Sequence, residues 1–236
     1  KIKKNINLWK NEINIELNNY LTKPFPEIVN ENDEIAKRYI KESVIEKAIF
    51  RDLKSVFEIK DVELIEKIIY ILASNPGMIV NLDDFAKDLD RTRQIISNYF
   101  YYLECCFIVK SLRNFRGSFK VSSRKLKKYY LAHPCIGLAL ASAEKSRSIE
   151  NLVQFKTKAN LFWREKNKEV DFIISEDKKL VPIEVKYTKK VFEKNIKGLL
   201  KFMEKYNLSE GFVITEDFEK NESKIKYLPL WKWLLI

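Results

Sequence analysis

Glycine, proline, histidine and cysteine are all scarce in this chain. Five glycines and six prolines serve 236 residues. No Gly-x-x-x-x-Gly-Lys-Ser/Thr stretch occurs, and five scattered glycines cannot build a phosphate-cradling loop elsewhere. ATP binding or hydrolysis by that route is therefore excluded. His133 is the single histidine, so no histidine-based zinc set and no Ser-His pair can be assembled. Beside Pro134 it reads as structural. Cys105, Cys106 and Cys135 form an odd count without metal-ligand spacing, and read as buried free thiols of a reducing cytoplasm. No apolar run approaches the ~18 residues that span a bilayer. No signal peptide is visible, so a cytoplasmic protein without a membrane partner is expected. The chain opens at Lys1, not Met, with a patterned helix at once, and reads as a piece of a longer protein.

Charge of one sign is abundant. Lys and Arg number 44 against 33 Asp and Glu, a net +11. That excess favours a polyanionic partner such as nucleic acid, although an AT-rich genome alone would also enrich lysine. With 46% hydrophobic and 33% charged residues the chain is globular, and long enough for two cores.

Periodicity gives the organisation. Residues 2–21 carry an amphipathic helical pattern that Pro24 and Pro26 break. A second helix is expected over 32–51 from an Asn/Asp cap. A third is expected over 63–74, with Leu64, Ile65, Ile68, Ile69 and Leu72 on one face, stopped by Asn75-Pro76-Gly77. A short helix over 82–89 and a longer one over 91–103 follow. Strands are expected over 106–109 and 119–122, joined by a basic turn over 113–118. Three helices and a hairpin make a winged helix-turn-helix. Arg91, Arg93 and Gln94 would open its recognition helix, and Arg113 and Arg116 would lie in its wing. These are candidate DNA contacts. The competing reading is a protein-packing module with solvated arginines. Residues 124–131 read as a solvated basic face running into an apolar stretch.

The C-terminal part carries the chemistry. Glu169-Val170-Asp171-Phe172 and Ile183-Glu184-Val185-Lys186 are two apolar runs bearing acids. Strand alternation puts Glu184 and Lys186 on one face. A hairpin turning at 175–179 would set Asp171 beside Glu184 at a sheet edge. Two carboxylates and a lysine can hold a divalent metal and assist an attacking water. The bland alternative is an edge strand carrying Lys and Glu against aggregation.

The hairpin, a preceding helix with Glu150, a helix over 191–206 and a strand over 211–215 together resemble the PD-(D/E)XK nuclease superfamily. That resemblance implies Glu150, Asp171 and Glu184 as ligands of Mg²⁺ or Mn²⁺, with the Val185 carbonyl completing the shell. Lys186 would orient water or stabilise charge on the scissile phosphate. Phe25-Pro26-Glu27, the Leu103-to-Val109 phrase and Lys128-Tyr129-Tyr130 widen the likeness. The whole order resembles the C-terminal half of prokaryotic, often archaeal, AAA-type P-loop ATPases. It departs from that family in having Lys23-Pro24 where Gly-Gly is usual, and Ala132-His133 where an Asp is common. The resemblance implies an α+β chain: a helical region (1–60) linking to an absent ATPase module, a winged helix (61–132), then a nuclease-like α/β domain with a mixed sheet (133–236). ATP would be bound only by the absent module. Expected partners are DNA and that ATPase module, with homo-oligomers left open. The implied activity is metal-dependent DNA cleavage. The alternatives are a non-catalytic regulatory or interaction module, or a DNA-binding transcriptional regulator.

Overall fold

A computed structural model describes residues 6–117, 123–176 and 179–235. Its segments interleave into two compact units. One, here the helical unit, comprises Tyr20–Arg113 and Ser123–Phe155. The other, the sheet unit, takes the described parts of Lys1–Asn19, Asn114–Ser122 and Lys156–Ile236. The divisions expected at 60/61 and 132/133 both fall inside the helical unit. Strands and helices mix in an α+β chain. Among the described residues no helix is long and apolar enough to cross a membrane.

A 3-10 turn, Ile6–Trp9, leads into α1 (Lys10–Thr22), which ends as expected before the two prolines. In the helical unit α2 (Asp33–Tyr39) starts where Asn32 accepts the Ile35 amide at 2.9 Å. It continues through π-helical turns, Ile40–Glu46 and Ala48–Leu53, into α3 (Lys54–Val56). Asp61 caps α4 (Val62–Ser74), whose Leu64, Ile65, Ile68, Ile69 and Leu72 are all buried. Periodicity at 3.6 residues makes that stripe, and its burial drives the packing. Then come β1 (Met78–Asn81), α5 (Leu82–Asp88), α6 (Arg93–Cys105), β2 (Val109–Asn114) and β3 (Ser123–Leu131). β1 pairs antiparallel with β3, Met78 opposite Tyr129, and β2 lies on the other side of β3. α7 (Pro134–Ala141) and α8 (Lys145–Thr157) complete the unit.

Several expectations are corrected here. The strand placed over 106–109 starts three residues later, because Cys106 caps α6 and Phe107 turns at φ +56°. The strand placed over 119–122 lies outside the described residues, and β3 covers the stretch read as a solvated basic face. Lys128 in it is buried. Arg113 and Asn114, read as turn, end β2. Cys105 is exposed rather than buried.

The sheet unit contains β4 (Leu161–Glu165), β5 (Lys168–Glu176), β6 (Lys179–Lys186), α9 (Lys197–Lys205), β7 (Gly211–Thr215), β8 (Lys220–Glu222), β9 (Ile225–Pro229) and α10 (Leu230–Trp233). Spatial order is β4-β5-β6-β7-β9-β8. β4, β5 and β6 are antiparallel, β6, β7 and β9 run parallel, and β8 returns antiparallel to β9. The sheet is therefore mixed. The parallel step from β6 to β7 requires a crossover, which α9 supplies. Leu199, Phe202 and Met203 of α9 pack on Trp163, Val170 and Val213. At Gly198 a β-carbon would stand 1.9 Å from the Glu169 carbonyl oxygen, so only glycine lets α9 lie this close to β5. Leu230 and Trp231 of the apolar C-terminal stretch are buried.

Candidate carboxylate site

The hairpin builds the site. The β5–β6 register runs from Glu176–Lys179 to Phe172–Ile183. One step further, side chains take over from the backbone ladder. The Val185 amide donates to Asp171 Oδ2 at 2.9 Å, and the Asp171 amide donates to Glu184 Oε2 at 3.4 Å. Lys186 Nζ stands 2.6 Å from Glu184 Oε1. Asp171 and Glu184 are 7% and 5% exposed. Lys186 is partly open to solvent. Asp171, Glu184 and Lys186 are thus together, as the spacing predicted.

Their setting differs from the expectation. β6 lies between β5 and β7, not at an edge. An anti-aggregation role for Glu184 and Lys186 has no edge to protect. Burying two adjacent carboxylates costs several kcal/mol each before compensation. The Val185 and Asp171 amides and the Lys186 ammonium offset that cost. An apolar pair in the same strands would serve stability at least as well, which makes a purely structural role a poor explanation.

Glu150 sits on α8 in the helical unit. Lys128 Nζ is 2.7 Å from its Oε1, and the Tyr130 hydroxyl donates to the same oxygen at 2.5 Å. Lys128 is 3% exposed. Sequence reading missed this pair because it took residues 124–131 for a solvated face. The period-two alternation of Lys128 and Tyr130 was the available signal. Among the described residues no group of three or more His, Cys, Asp or Glu is arranged to hold a metal ion. The two hairpin acids are a hard, all-oxygen donor set. They fit a Mg²⁺-type ion, which is held by one or two carboxylates and keeps water and phosphate ligands.

The expected DNA contacts Arg91, Arg93 and Gln94 are exposed, but α6 starts at Arg93, so Arg91 precedes the helix instead of opening it, and both arginines carry acidic partners. Arg91 Nη2 lies 3.0 Å from Asp61 Oδ2, and Arg93 Nε lies 3.1 Å from Asp83 Oδ1. The Leu64 amide first, then Arg91, hold the Asp61 carboxyl below its usual range. Gln94 donates to Asn98 at 2.8 Å. Arg113 and Arg116 are exposed. Asn114, read as turn chemistry, is fully buried. Its amide donates to the Arg164 carbonyl and its oxygen accepts the Arg164 amide, both at 3.0 Å, so it substitutes for a backbone pair. His133 is structural as expected. It caps α7 by accepting the Cys135 amide at Nδ1, 3.2 Å away. Burial lowers its pKa to about 4.

Comparison with known proteins adds family relations. A model for a domain of unknown function, DUF8612, matches residues 20–147. A second, DUF4143, matches residues 146–233. The uncharacterized protein MJ1544 of Methanocaldococcus jannaschii is 31% identical, covering 89% of this chain and 53% of its own length. A second uncharacterized protein of that organism, MJ1637, is 26% identical over 82% of this chain and 43% of itself. The chain thus spans about half the length of the curated relatives it matches. No solved structure matches.

Proposed function

The chain belongs to the DUF8612 family, and we propose that its sheet unit is a PD-(D/E)XK-like phosphodiester site carried with a winged helix on the helical unit. The observation behind this reading is the cross-strand pair Asp171 and Glu184, buried together with Lys186 against Glu184. The helix-strand-helix-helix-strand-strand order from α4 to β3 supports the winged-helix assignment. DNA is the proposed substrate, in keeping with the net charge of +11. Asp171 and Glu184 would hold Mg²⁺ or Mn²⁺. Such an ion supplies Lewis-acid polarisation of a phosphoryl oxygen and a more acidic bound water. Lys186, an ammonium with three donors, would share its hydrogen bonds between Glu184 and a phosphate oxygen. In the longer protein this module would work beside an AAA-type ATPase, which would carry the ATP chemistry.

A second reading has its own observation. Glu150, the third acid of the superfamily pattern, is engaged by Lys128 and Tyr130. That favours a nuclease-like scaffold kept for regulation or partner binding, since fold does not imply activity. Nicking of supercoiled DNA by the purified chain in Mg²⁺ or Mn²⁺ separates the two. The nuclease reading expects nicking that Asp171→Asn and Glu184→Gln abolish and Lys186→Ala reduces. Absence of nicking, or nicking untouched by Asp171→Asn, leaves the scaffold reading.

A further inference from the structure

Beyond the acid pair, the chain leaves β6 through a lysine-rich loop. Lys189, Lys190, Lys194 and Lys197 are all exposed, and none has a carboxylate partner among the described residues. Several lysines elsewhere in the sheet unit do have one. Lys201 and Lys205 pair with Glu165, and Lys232 pairs with Glu219. The loop is also fixed in shape. The Thr188 amide donates to the Lys186 carbonyl at 2.7 Å, and the Glu216 amide donates to the Thr188 carbonyl at 3.3 Å. Thr188 Oγ1 donates to the Lys190 carbonyl at 2.8 Å, and the Phe192 amide donates to Asn195 Oδ1 at 3.0 Å. Phe192 is 58% exposed, with Lys194 Nζ 5.6 Å from its ring centroid.

An exposed phenyl ring among unpaired cations on an ordered loop is the composition of a single-strand binding platform. Lysines follow the phosphates, and the ring stacks on a base whatever its identity. Phe192 also borders an open groove of about 740 Å³ whose floor includes Ile196, Leu200 and Met203. Glu193, Glu204 and Glu222 line that groove with one lysine, Lys224, while the four loop lysines do not. Three carboxylates against one lysine leave the groove lining net negative, so the loop lysines are the more favourable side for a phosphate backbone.

We propose that the loop over 188–197 binds single-stranded nucleic acid, with Lys189, Lys190, Lys194 and Lys197 on phosphates and Phe192 stacked on a base. Lys186 ties the start of this loop to Glu184, so a strand held there would be led toward Asp171 and Glu184. Only that last step rests on the nuclease reading. The binding itself does not.

The test is fluorescence anisotropy of labelled oligo(dT) with the whole chain, without divalent metal, at several salt concentrations. The double charge reversal Lys189→Glu with Lys190→Glu should weaken binding at least tenfold. It should also flatten the log-log salt slope by about 1.4, from roughly 0.7 per phosphate contact on a single strand. Phe192→Ala should weaken binding about fivefold to hundredfold with the slope unchanged, since stacking releases no counterions. All three positions are exposed, and thermal melting of each variant checks that the fold is retained. Wild-type affinity in the lysine variant overturns the proposal. So does unchanged affinity in Phe192→Ala, or tighter binding of the duplex than of oligo(dT). If the wild-type chain binds oligo(dT) in this way while its nicking and Mn²⁺ binding are absent, the nuclease reading fails and the platform stands.

Discussion

Two glutamates in this chain, one in each unit, each hold a lysine, and the groups around them differ. At the hairpin, Glu184 meets Lys186 two residues along the same strand, and a second acid, Asp171, lies across from it. On α8, Glu150 meets a deeply buried Lys128 and the Tyr130 hydroxyl from β3, three groups from two elements of one unit. At the hairpin, two acids stand beside a lysine with access to solvent. Glu150 neutralises a buried ammonium and ties a helix to a strand. The lesson is that an acid's neighbours, not its place in a motif, decide what it is available for.

The largest effect that sharpens this contrast is expected at Glu150. Glu150→Ala takes the Glu150 carboxylate from the buried Lys128, a loss of about 3–5 kcal/mol. Urea unfolding of the variant measures it. A change below about 1 kcal/mol would mean that the Glu150–Lys128 pair is no clamp.

A comparable effect comes from the same unit through pH. Burial lowers the His133 pKa from 6.5 to about 4. The neutral ring is the one that accepts the Cys135 amide and caps α7. The histidine's contribution is therefore fully present above pH 6.5. It is lost as the unfolded chain takes up a proton between pH 6.5 and about 4, and the loss levels off below that. The span corresponds to about 3 kcal/mol. His133→Asn keeps a capping side chain without a titrating ring. Unfolding free energy followed from pH 7 to 4 should fall less steeply in the variant than in wild type. Parallel curves would show that the buried ring does not carry this dependence.

The comparison also explains what could be read from the sequence. Asp171, Glu184 and Lys186 were legible because a hairpin has a period of two and a short turn, which together fix partners across strands. α4 and α6 were legible because their apolar stripes follow the helical period. β1 and β4 were not. Met78–Asn81 is only four residues long, and Leu161–Glu165 begins with three consecutive buried residues, so neither shows alternation. Asn114 looked like turn chemistry, since nothing local says that its amide will replace a backbone pair with Arg164. The interior position of β6 depends on the parallel pairing with β7, a contact between strands separated by α9. The Lys128–Glu150 pair likewise joins residues far apart in sequence, beyond any local pattern.

The central claim is that the hairpin acids form a divalent-cation site, and calorimetric titration of Mn²⁺ into the purified chain tests it most directly. Asp171→Asn removes one formal charge at nearly constant volume, in a side chain whose amide oxygen can still accept from Val185. The account predicts Mn²⁺ binding by the wild type, lost in Asp171→Asn and weakened by no more than a few-fold in Lys186→Ala, because an ammonium donates hydrogen bonds and does not ligate. No Mn²⁺ binding by the wild type, or equal binding by wild type and Asp171→Asn, would contradict it.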